Sequence, residues 1–282
     1  MKTLNFILLL LISTTSFAND IDKLQTNEDV YNFLVKKVSR KFKDNPPLDD
    51  SPKTIDTAKY GRNKFFKADV DNNGLTDLII YGYRHFLVVL DNGKKDYIVR
   101  YLDKGTFLSN TATLISLDTF SLPTKIIIQQ SEKPKQQIDT LIFQYNNFIE
   151  YNPKPTTDFT FNQLKFKTDQ CFGECPIFEM TINKDRTATY KAIRFNDETG
   201  NFKGTIPTKE FNELLSLLKY IQLDKLNNEY AVNWTDDQTV TTEVEFNGKT
   251  KVISDYGKIG TFGLSRLYSK LFYWRKLIEW TE

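Results

Sequence analysis

The sequence predicts an α+β protein of two domains. The N-terminal one is rich in antiparallel sheet and has one helix. The C-terminal one is an antiparallel sheet with two helices, in the order β-β-β-α-β-β-α. Three observations predict this. The 282 residues include 22 Phe and 14 Tyr, with Ile and Thr also frequent, a mix that favours strands. Short apolar runs succeed one another through residues 78–151 with turns but no helical periodicity between them, which implies antiparallel pairing. Pro153 and Pro155 then interrupt the pattern among polar neighbours, as an extended linker does. Residues 152–160 are therefore read as the linker between domains at 19–151 and 161–282.

The first segment is set apart from the fold. Lys2 is followed by an almost wholly apolar run at residues 4–12, and Ser16-Phe17-Ala18 has the small-x-small form of a cleavage site. This pattern predicts a secretory signal peptide at residues 1–18 and an exported protein, periplasmic or extracellular. The run is about half the roughly 20 apolar residues that a membrane span needs, and no later segment is long enough either. Lys+Arg is 38 against Asp+Glu 36, for a net charge of +2. A nucleic-acid binder carries a large basic excess, so that class of partner is excluded.

The remaining elements follow in order. Val30, Phe33, Leu34, Val38 and Phe42 recur at helical spacing, which predicts a helix over 27–42 capped by Thr26 or Asn27 and stopped by Pro46-Pro47. Residues 48–62 read as a surface connection. Strands are expected at 78–83, 85–90, 97–102, 112–117, 125–130, 140–145 and 148–151, with turns at Asp91-Asn92-Gly93 and Asn146-Asn147. His85, the one histidine, sits in a strand-like run and reads as structural. In the C-terminal half, strands are expected at 161–167, 177–182 and 187–194, the last two joined by a turn at 183–186, and 195–205 reads as a polar connection. A helix starts near Pro207 with Thr208 as its cap and Phe211, Leu214, Leu215, Leu218 and Ile221 on its apolar face. Asn247-Gly248 between 239–246 and 249–254 is a strong hairpin signal. Residues 261–280 close the chain as a helix with Leu264, Leu267, Tyr268, Leu271, Trp274, Leu277 and Ile278 on one face; packing on a sheet is favoured over lying on a membrane surface because the chain is near neutral.

Two stretches carry chemistry. In the first, oxygen-bearing side chains fall at positions 1, 3, 5 and 9 of a loop that starts at Asp69: Asp69, Asp71, Asn73 and Asp77, with Gly74 at position 6. Calcium takes six to eight hard oxygens at about 2.3–2.6 Å, and alternate residues of a tight loop can turn inward to supply them. Leu75 would add its backbone carbonyl. Ile80 stands where an EF-hand needs a bidentate Glu, and a strand follows instead of a helix. The stretch resembles a single calcium loop of the FG-GAP (VCBS-like) repeats, which implies calcium as the cofactor. Such repeats build propellers in numbers, and one copy does not. A metal-free turn, in which Asp and Asn bond their own backbone, fits the same residues.

The second stretch, Cys171-Phe172-Gly173-Glu174-Cys175-Pro176, holds both cysteines. A zinc site would want further ligands, and redox chemistry uses C-x-x-C at a helix start. A structural disulfide between Cys171 and Cys175 suits an exported chain better. With the hairpins at 182–190 and 247–256, this stretch resembles a family of secreted bacterial domains of unknown function marked by Cys-Phe-Gly-x-Cys-Pro. The resemblance runs from about Phe166 to the last helix and implies an exported domain, with no catalytic residue to carry over. No Walker, Rossmann, G-x-S-x-G or H-E-x-x-H pattern occurs. The expectation is an exported, non-enzymatic binding or interaction protein, calcium-stabilised, whose partner is an unidentified protein or glycan. The alternative is an envelope hydrolase acting on glycan or peptide by carboxylate or metal-assisted chemistry.

Overall fold

The computed structural model describes residues 19–44, 46–47, 64–81, 85–102, 112–130 and 137–282. The expected signal segment 1–18, the connection at 48–62 and Gly82 and Tyr83 of the expected 78–83 strand lie outside the described residues. The architecture is α+β: two four-stranded antiparallel sheets, then a seven-stranded sheet with two helices.

The first helix, α1 (Asn27–Phe33), starts as its sequence dictates. The Thr26 hydroxyl accepts from the Asp29 amide at 3.1 Å while the Asp29 carboxylate accepts from the Thr26 amide at 2.9 Å, a capping box. The α-helix does not run to Phe42 as periodicity predicts. Residues Leu34–Val38 are π-helical, Ser39 is extended, and Arg40–Lys43 form a 3₁₀ turn capped by the Ser39 hydroxyl. Val30, Phe33, Leu34 and Phe42 are all buried against one sheet, whereas Val38 is only partly covered. Rewinding the chain after Phe33 delivers Phe42 to that surface, so packing overrides local propensity.

Strands β1 (Lys64–Ala68), β2 (Asp77–Tyr81), β3 (Phe86–Asp91) and β4 (Tyr97–Tyr101) form the first meander. β1 was not anticipated. Side chains alternate between two cores, as strand geometry requires. Leu78, Ile80, Leu87 and Val89 face the N-terminal helix, while Ile79, Phe86, Val88 and Leu90 face the second sheet. That sheet is a second meander of β5 (Ala112–Asp118), β6 (Lys125–Gln130), β7 (Gln137–Gln144) and β8 (Asn147–Glu150). Ile126, Ile128, Leu141 and Phe148 close the core between the sheets. His85 lies edge-on to Tyr101 with ring centroids 5.7 Å apart.

The third sheet contains β9 (Phe161–Thr168), β10 (Ile177–Asn183), β11 (Thr187–Arg194), β12 (Gly200–Thr205), β13 (Glu229–Ala231), β14 (Thr239–Phe246) and β15 (Lys249–Tyr256). Its order is β12-β11-β10-β9-β14-β15-β13, antiparallel except where β13 joins β15 in parallel. β12 and β13 are the two edges, and neither was expected: edge strands here are polar and short, and they carry little alternation to reveal them. Helices α2 (Thr208–Tyr220) and α3 (Phe262–Leu277) cover one face through Phe211, Leu214, Leu218, Leu267, Leu271 and Trp274. Three details differ from expectation. Pro207, not Thr208, is the cap of α2 and offers no side-chain bond; the Thr208 hydroxyl accepts from Arg186 instead. Leu277 is exposed, because α3 ends there and the chain turns extended at Ile278. The turn of the β7–β8 hairpin is Tyr145-Asn146, one residue earlier, both with positive φ.

The second sheet also meets the helices of the third. Ile142 and Ile149, on its outer face, pack with Tyr220 and Ile221 at the end of α2. Phe262, at the start of α3, is buried in the core of the first two sheets.

Candidate metal centre

The β1–β2 connection gathers Asp69, Asp71 and Asp77, each offering a carboxylate oxygen within 4.8 Å of the others. Among the described residues this is the one group of three or more His, Cys, Asp or Glu side chains so placed. The loop is built by its own side chains. Asp69 accepts from the amides of Asn73 at 3.1 Å and Gly74 at 2.9 Å, and Asp71 accepts from the Asn73 amide at 3.1 Å. Gly74 turns the chain at φ +86, where a side chain would be strained.

Asp77 anchors the loop from beneath. It is fully buried at the first residue of β2, and its two oxygens accept from the amides of Val70 at 2.9 Å and Asp91 at 2.8 Å. Burial pushes its carboxyl up to about 7, the charges of Asp71 and Asp69 add to this, and the two amides oppose it. Burial likewise raises Asp71, aided by Asp69. Among the described residues, no Lys or Arg ion-pairs with the three acids.

This donor set fits a hard divalent cation. Ligands on opposite sides of calcium stand about 4.6–5.2 Å apart, the three carboxylates lie within 4.8 Å of one another, and an ion would supply the countercharge the site lacks. The other two expected ligands were the Asn73 side chain and the Leu75 backbone carbonyl. The Asn73 side chain is engaged with its neighbours: its oxygen accepts from the Leu75 amide at 2.7 Å and its nitrogen donates to the Asp91 carbonyl at 2.9 Å. The Leu75 side chain lies over the β3–β4 turn, against Gly93. That turn is wider than the Asn-Gly pair implies, with positive φ at Gly93, Lys94 and Lys95 and none at Asn92.

Sequence reasoning passed over Asn72, which carries the loop's outward connection. At φ 63 its carboxamide oxygen reaches the β5–β6 loop and accepts from the Thr124 amide at 3.1 Å and hydroxyl at 3.2 Å. That loop presents Phe120 and Leu122, 100% and 82% exposed. Asp118 organises it by accepting from the amides of Phe120 and Ser121, both at 3.1 Å, and from Lys125 at 3.1 Å. The sequence signal was available: two large apolar residues inside a Ser- and Pro-containing turn.

Cys171 and Cys175 stand paired as a disulfide with Cα atoms 5.9 Å apart. The bulge between them turns at Gly173, φ +141, and leaves Phe172 88% exposed. It is held at both sides: the Phe172 amide donates to the Asp236 carbonyl at 3.1 Å, and the Pro176 carbonyl accepts from Thr168 and Gln238.

Comparison with curated proteins finds no match for the chain. The third sheet and its two helices are the part that a known family recognises: residues 162–275 match the family described as Domain of unknown function (DUF6438), and the chain carries a domain of that kind there.

Proposed function

We propose that the protein is an exported binding protein, not itself an enzyme, whose β1–β2 loop takes calcium and thereby holds a recognition loop in shape. The observation that carries this reading is the pair of bonds from Thr124 to Asn72. It links the three-carboxylate loop to the loop that exposes Phe120 and Leu122. Large apolar side chains held wholly in water contribute nothing to the core, and clusters of them mark interaction sites. A cation on Asp69, Asp71 and Asp77 fixes the backbone at Asn72, and Asn72 fixes Thr124. The partner is a protein or a glycan. Export rests on the segment at residues 1–18.

Calorimetric titration of the chain with calcium chloride tests the first half, and proteolysis at residues 119–123 with and without calcium tests the coupling. Binding accompanied by slower cleavage supports the reading. No heat up to millimolar calcium would reduce the loop to a plain turn, and binding without any change in cleavage would separate it from recognition.

A further inference from the structure

A second candidate site lies where α3 ends, in the domain of unknown function and away from the acidic loop. A cavity of about 290 Å³ opens there between the last turn of α3, the β11–β12 connection and the C-terminal tail. Its aromatic side is a stack. Tyr190 lies between Phe202, at 5.8 Å and 26°, and Trp280, at 5.1 Å and 37°. Phe202 and Tyr190 are buried, and Trp280, packed against the core but only partly buried, is the most exposed of the three rings. Its polar side carries both signs of charge. Arg275 is held over the Phe178 ring at 5.0 Å and donates to Asn196 at 2.8 Å. Lys276 pairs with Asp197 at 3.3 Å. Glu198, exposed on the same connection, also lines the cavity.

We infer that this cavity binds a single neutral pyranose unit of a glycan. An anion would face Asp197 and Glu198, a cation would face Arg275 and Lys276, and a purely apolar ligand would strip water from all four without replacing its hydrogen bonds. A neutral sugar ring meets every group. Its hydroxyls donate to the carboxylates and accept from Arg275 and Lys276, while its C–H face lies on Trp280. The volume is just below the roughly 300–1,000 Å³ usual for small-molecule sites, so it admits one ring and not a run of them. The open side leaves room for the rest of the chain, which makes a terminal residue the natural ligand.

The inference is independent of calcium, so the test is run in EDTA. Saturation-transfer NMR on the full chain uses the methyl glycosides of glucose, galactose and N-acetylglucosamine, with choline and methyl sulfate as charged controls. At least one glycoside should receive saturation at its ring C–H protons. The double variant D197N/E198Q removes two exposed carboxylates, so its melting temperature should stay unchanged while affinity falls about tenfold or more, the worth of about 1.4 kcal/mol. Absence of transfer to all three glycosides, transfer only to choline or methyl sulfate, or equal affinity in the double variant would each overturn the inference.

Discussion

The Glu150 carboxylate accepts from the backbone amide of Gly263 at 2.9 Å. Glu150 ends β8 in the second sheet and Gly263 lies in the first turn of α3, so an acid from one sheet caps the helix of another. The Phe262 amide donates to the same carboxylate, at 2.5 Å. An anion at a helix N-terminus satisfies orphan amides and meets the positive end of the helix dipole. Replacing it with Gln keeps the size and removes the charge. Glu150→Gln should cost about 1–2 kcal/mol in urea unfolding and speed hydrogen exchange at the amides of residues 262–264. Unchanged exchange there would show that the carboxylate does not hold the helix.

Gly263 itself has no room for a side chain. An added Cβ would stand 2.5 Å from Cγ2 of Ile221 at the end of α2. Gly263→Ala should therefore destabilise by about 1–3 kcal/mol through overpacking, despite alanine's better helix propensity. A gain in melting temperature would contradict this packing.

Asp71 repels Asp69 without a cation and attracts one when it is present. Asp71→Asn should leave the melting temperature in EDTA unchanged or raise it, and should abolish the rise that calcium produces in the parent. That rise corresponds to about 2.7 kcal/mol at a hundredfold excess over Kd. Differential scanning calorimetry in EDTA and in calcium reads both signs, and a variant that still responds fully to calcium would remove Asp71 from the site.

Lys270 is 4% exposed and bridges Glu210 at 2.5 Å and Glu213 at 3.0 Å, while Trp274 donates to the same Glu210 oxygen at 3.1 Å. Lys270→Ala leaves Glu210 facing the core without its cation. Such losses cost about 3–5 kcal/mol when both partners are buried, and Glu210's partial exposure puts this one near the lower end. Burial raises the Glu210 carboxyl, but Lys270 and Trp274 outweigh it, so the group sits below its ordinary value in the fold. A lowered acid stabilises above its unfolded pKa and loses that stability as pH falls through the folded one. The melting temperature should thus fall as pH drops below about 4.5, and Lys270→Ala should flatten that fall.

The disulfide closes a loop of five residues, for which chain entropy gives about 2 kcal/mol. C171S/C175S should fold and lose about that much in urea unfolding. Mass analysis after alkylation under non-reducing conditions should find no free thiol in the parent protein.

Much of the fold was legible from local signals. The Asn247-Gly248 turn occurs as expected, with φ 51 and 70, because that pair tolerates the left-handed region a two-residue hairpin needs. Thr26 caps the first helix through its hydroxyl, as its position before the apolar periodicity implies. The three acids of the β1–β2 loop could be named in advance because all lie within nine residues. Asn72 could not, since its partner Thr124 is 52 positions away and polar pairing at that distance leaves no periodic trace. Glu150 was hidden for the same reason.

By itself, the sequence determined the alternation of strands, the turns between them, the helix starts and the spacing of acids and thiols, because each depends on residues within one turn or one strand. Only the tertiary structure decided that α1 rewinds after Phe33 to bury Phe42, that polar segments at 200–205 and 229–231 become sheet edges, and that Glu150 caps a helix 113 residues later. Those outcomes depend on burial and on partners for backbone groups far along the chain, and a residue's neighbours in sequence say little about either.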